Sequence, residues 1–127
     1  MIQANELRIG NIVKPIISRF NEKYLIIESI SFDEINMNFR PYRLDSIEPI
    51  PLTEEWLLKL GFTKHHADYF NDVIYIKNVP NNNEFEWGLY PNKIGSGIQV
   101  KNGKLLKYVH QLQNLYFSLT GEELTIN

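Results

Sequence analysis

Hydrophobic positions in the first half of the chain come in short, β-branched runs, and helical spacing takes over only near residue 55 and again beyond residue 104. LRIGNIV (residues 7 to 13) and YLIIESISF (residues 24 to 32) predict two strands, with Gly10 marking a bulge or tight bend in the first. Ser18 to Lys23 reads as the loop between them. Ile35 to Phe39 predicts a third strand, joined to the second by a tight connection at Asp33 and Glu34, and Tyr42 to Ile47 a short return. Pro49 and Pro51 have no amide hydrogen to give a sheet ladder, so the extended run ends there.

The period changes in IEPIPLTEEWLLKLGF, which predicts a helix over 53–60. Thr53 is its N-cap, Glu54 and Glu55 suit the positive end of the helix dipole, and Leu52 can pack on Leu57 as a hydrophobic staple. Gly61 supplies a left-handed C′ residue, after which Phe62 folds back on Leu57. Trp56, Leu57 and Leu60 are the expected buried side. Beyond it, DVIYIKNV (72–79), FEWGLY (85–90) and Ile98 to Val100 predict a second antiparallel sheet of about three strands, with VPNNNEF as a hairpin loop. Turn residues cluster at Pro91, Asn92, Gly95 and Gly97, and again at Asn102 and Gly103.

The last helix is expected over about 104–120, closed by Gly121 after Thr120. A period of about 3.6 residues places Leu105, Tyr108, Val109, Leu112, Leu115, Tyr116 and Leu119 on one face. Lys107, His110, Gln111, Asn114 and Ser118 fall on the other. Leu106 and Phe117 sit beside the polar arc, on the His110 flank, so the helix is more apolar than one buried stripe requires. Two readings follow. Either the helix lies in a groove between two sheets and buries both flanks, or Leu106, His110, Asn114 and Phe117 form a partner-binding ridge.

Together these elements predict an α+β fold in a single domain of 127 residues. Residues 1–50 form an N-terminal antiparallel, small barrel-like β unit, and residues 51–127 a helix, a β-meander and a helix. A composition of 43% hydrophobic and 22% charged residues is that of an ordinary globular protein. With no cysteine, disulfides and thiolate zinc sites are impossible, which fits a reducing compartment. The opening MIQANELRIG lacks the charged and apolar regions of a secretory signal, and no apolar run approaches a bilayer span. The protein is therefore expected in the cytoplasm.

Candidate chemistry is sparse. His65 and His66 are adjacent and, on an extended segment, point to opposite faces, so they do not join Asp68 and Asp72 around one ion. His110 and Asn114 have neither a cysteine nor a serine in a nucleophile elbow to activate. G-S-G at 95–97 lacks the context of a phosphate loop, and Glu54/Glu55 and Glu122/Glu123 read as helix-end and exposed carboxylates. No catalytic, metal or cofactor residue is expected, so the chain does not read as an enzyme. The formal net charge of −2 argues against a general affinity for phosphate backbones. Two local basic groups remain as nucleic-acid candidates: Arg40, Tyr42 and Arg43 in FRPYR, and Lys101, Lys104 and Lys107 in KNGKLLK.

The blocks ANELRIGN, IEPIPLTEEWLLKLGF and KYVHQLQNLYFSLTGEEL, in this order, resemble a family of small proteins carried by Bacteroidetes phages, prophages and other mobile elements. The resemblance implies a mobile-element origin and the cytoplasm of a bacterial host, and it carries over neither a catalytic activity nor functional residues. It makes a host protein the expected partner, such as a CRISPR effector or its guide-RNA complex. An acidic anti-defence protein would inhibit an RNA-guided nuclease of the Cas13b type by occupying a basic channel. The alternatives are a small nucleic-acid-binding module built on the N-terminal β unit, or a phage structural or assembly protein.

Overall fold

Alternation in the N-terminal strands sets one face of a sheet. Leu25 and Ile27 point inward and Ile26 and Glu28 outward along β2, the period-two pattern of a half-buried strand. In the computed structural model, which describes residues 2–17, 23–31, 34–66, 73–79, 82–91, 98–100 and 105–126, a short 3-10 turn (Ala4–Glu6) leads into β1 (Ile12–Pro15). It is followed by β2 (Leu25–Ile30), β3 (Glu34–Met37), β4 (Arg40–Arg43) and β5 (Ile47–Glu48). These pair antiparallel in the order β4-β3-β2-β1-β5. Ile2, Leu7, Val13, Leu25, Ile27, Ile35, Met37 and Ile47 form the core, with Tyr42 and Leu44 packed against it.

The second set of elements begins with helix α1 (Glu54–Lys59). Its ends form as the sequence predicts. The Thr53 hydroxyl accepts the Trp56 amide at 3.4 Å, and Gly61 takes φ +94°. Phe62 N–H donates to Leu57 O at 3.0 Å and Gly61 N–H to Leu58 O at 3.1 Å, the paired bonds of a Schellman close. Leu57, Leu60 and Phe62 are buried, while Trp56 is half-buried with the Lys59 ammonium 4.8 Å from its ring centroid.

The second sheet has five strands rather than three. β6 (Thr63–His66), β7 (Val73–Val79), β8 (Asn82–Pro91), β9 (Ile98–Val100) and β10 (Leu105–Leu106) pair in the order β10-β9-β8-β7-β6. The additions are β6, which carries the adjacent histidines, and β10, taken from the start of the predicted last helix. Leu105 and Leu106 suit a helix by propensity, but their backbones pair with Gln99 and Ile98 of β9. Helix α2 therefore runs only Val109–Thr120, closed by Gly121 at φ +75°.

The class is α+β, with two antiparallel sheets and two helices among the described residues. The chain divides into two compact units, Met1–Ile50 with Tyr108–Glu123, and Pro51–Lys107 with Leu124–Asn127. Helix α2 thus belongs to the N-terminal unit, whereas the sequence reading grouped it with the second half. No helix among the described residues is long and apolar enough to cross a membrane.

Candidate functional site

β1 poses a local problem that α2 solves. Gly10 N–H donates to Ile27 O at 2.8 Å and Ile27 N–H to Asn11 O at 2.9 Å, so this stretch is satisfied on its β2 side. β5 covers its other side only at Lys14 and Pro15, leaving Gly10 to Ile12 without a strand there. The buried amide of Gln113 fills that place. Its Oε1 accepts the Ile12 N–H at 2.8 Å and its Nε2 donates to Gly10 O at 3.0 Å. A primary amide has the donor and acceptor of a peptide group, so one side chain replaces a piece of strand.

The neighbouring residues extend this network. Asn114 donates to Glu6 O at 2.7 Å and accepts from Asn11 Nδ2 at 2.8 Å and from an Arg8 guanidinium nitrogen at 3.2 Å. Asn11 also accepts the Arg8 N–H at 2.7 Å. Arg8 pairs with Glu123 and lies over the Phe117 ring, 4.0 Å from its centroid. Gly10 holds φ +94°, where a side chain is strained. Glu123, expected to be merely exposed, is thus an ion-pair partner.

His110 is 1% exposed, with Nε2 3.2 Å from Glu6 Oε2 and the Tyr108 ring stacked at 5.9 Å. Its Nδ1 is buried with no hydrogen-bond partner among the described residues. Burial pushes the imidazole pKa below its usual 6.5, against the opposing pull of Glu6. The backbone amide of Gln3, and then His110, holds the Glu6 carboxyl below its usual 4.5. A neutral ring with its proton on Nε2 satisfies the carboxylate and leaves only a lone pair unpaired at Nδ1.

The expected partner-binding ridge is therefore not an exposed surface. Leu106 is 1% exposed in β10 and His110 equally buried in α2, and Asn114 is occupied within the fold. Phe117, 39% exposed, is partly capped by Arg8. The buried face of α2 is Val109, His110, Leu112, Gln113 and Tyr116, rotated toward the polar arc, while Leu119 stands 63% exposed. The rotation follows from the unmet main-chain groups of Gly10 and Ile12, which outweigh the gain from burying one more leucine.

Of the nucleic-acid candidates, those in the N-terminal unit are split across β4. Along β4, Arg40 and Tyr42 share one face and Arg43 points to the other. Tyr42 packs on the core and Arg43 pairs with Asp45 at 3.5 Å. Lys101 and Lys104 lie outside the described residues. Lys107 belongs to the other unit, where its carbonyl accepts the Leu52 N–H at 2.8 Å. The described residues hold no group of carboxylates and imidazoles able to bind a metal ion. His65 meets Thr63 Oγ1 at 3.0 Å, and Asp68 and Asp72 lie outside the described residues.

One feature escaped the sequence reading. β3 stops at Met37, and Asn38 (φ 52°) and Phe39 (φ 61°) make a two-residue turn with both positions left-handed, the type I′ geometry that favours Asn-Gly. Phe39 occupies the glycine position and its side chain is 92% exposed. Its N–H donates to Glu28 Oε1 at 2.8 Å. Glu28 is the additional residue of a β2 bulge, between the pairs Ile27↔Met37 and Ser29↔Asn36. Asn38 beside Met37 and Arg40 was the available sequence cue, masked by the apolar ring that follows it.

Searches against protein-family models, curated proteins and solved structures return no match for this chain. Fold and geometry define an α+β protein in which Gln113 and Asn114 bond the backbone of the N-terminal unit and the most exposed large apolar side chain among the described residues stands on a hairpin tip.

Proposed function

We propose that this protein is a non-enzymatic accessory factor of a phage or mobile element that acts by binding a host macromolecule, with Phe39 as the anchor. The observation that carries the reading is the Phe39 ring, 92% exposed at a left-handed position. A β-carbon there costs about 1–2 kcal/mol, and the fold recovers none of it through contact of the ring. Aromatic side chains are the commonest energetic anchors of interfaces, and burying one contributes about 1.5–3 kcal/mol. Three of the groups weighed for chemistry, His110, Asn114 and Glu123, are engaged inside the N-terminal unit, which supports a binding role over catalysis. Given the family resemblance, a component of a host defence system such as an RNA-guided nuclease is the target we favour.

The test is recovery of partners by the tagged protein from a lysate of its bacterial host, with and without nuclease, for the wild type and Phe39→Ala. One host protein, recovered regardless of nuclease and lost from Phe39→Ala, is the expected result. Equal recovery by both forms would sink the reading. Loss after nuclease treatment would move it to the nucleic-acid alternative, in which the ring and the adjacent Arg40 stack on bases.

A further inference from the structure

We draw no further inference here: the strongest candidate, the apolar surface patch that Leu115 and Leu119 make on the outer side of helix α2, carries none, because nothing in the structure shows what covers it.

Discussion

His110 shows how a residue read as surface becomes a liability of burial. Its Nδ1 has no hydrogen-bond partner among the described residues, so the imidazolium form would place an N–H there with nothing to receive it. Because burial lowers the folded-state pKa below 6.5, the unfolded chain binds the proton more readily. The contribution of His110 to stability is therefore level above pH 6.5, and it falls as the pH drops from 6.5 toward the folded pKa. The lowered Glu6 adds a second loss below its usual 4.5, where the unfolded carboxyl takes up its proton first. Urea midpoints measured across this range should fall with pH in the wild type and stay nearly flat between about pH 6.5 and 5.5 in His110→Phe. An unchanged slope in the variant would mean that another group carries the titration. At this scale the cap residues Thr53, Gly61 and Gly121 were legible, because caps are decided by neighbours within one turn. His110 was not legible, since Glu6 lies 104 positions away in the chain.

Helix α2 and strand β1 complete each other as elements. The strand lacks a neighbour at Gly10 to Ile12, and the helix supplies Gln113 there. Replacing that amide in Gln113→Leu keeps the volume but strands the Ile12 N–H and the Gly10 carbonyl. A loss of about 2–4 kcal/mol by urea denaturation is expected, against a change within about 0.5 kcal/mol for the exposed Ser118→Ala on the same helix. A similar small effect for both would show that water or another group satisfies the strand. Spacing alone located the helix but misjudged its start and its buried face. The start moved because β9 claims Leu105 and Leu106, after which Tyr108 N–H is met by Gln111 Oε1 at 3.2 Å, half of a capping box. The third strand was likewise drawn through Phe39, because an aromatic after alternating residues reads as strand continuation, and nothing in its type announces a left-handed turn.

At the scale of the whole molecule, a late segment of the chain completes an early unit, since Tyr108–Glu123 returns to Met1–Ile50. A chain ending after Lys107 lacks Gln113, Asn114 and the buried apolar side of α2, all of which the N-terminal unit uses. In that truncation the amides of β1 and β2 should lose most of their hydrogen-exchange protection, and a peptide spanning 108–123 should restore it in part. Full protection without the helix would show that the first sheet stands alone. The formal charge of −2 and the lack of cysteine were available before any folding argument, as were the number of helices and the alternation of the first sheet. Composition and spacing determine these because each depends on residue type and near neighbours. Tertiary structure alone decided which face of α2 is buried, that Gln113 stands in for a strand, and that Phe39 is left on a tip. Those outcomes depend on backbone groups needing partners from distant segments, and in a dry interior an unmet hydrogen bond outweighs one more buried leucine.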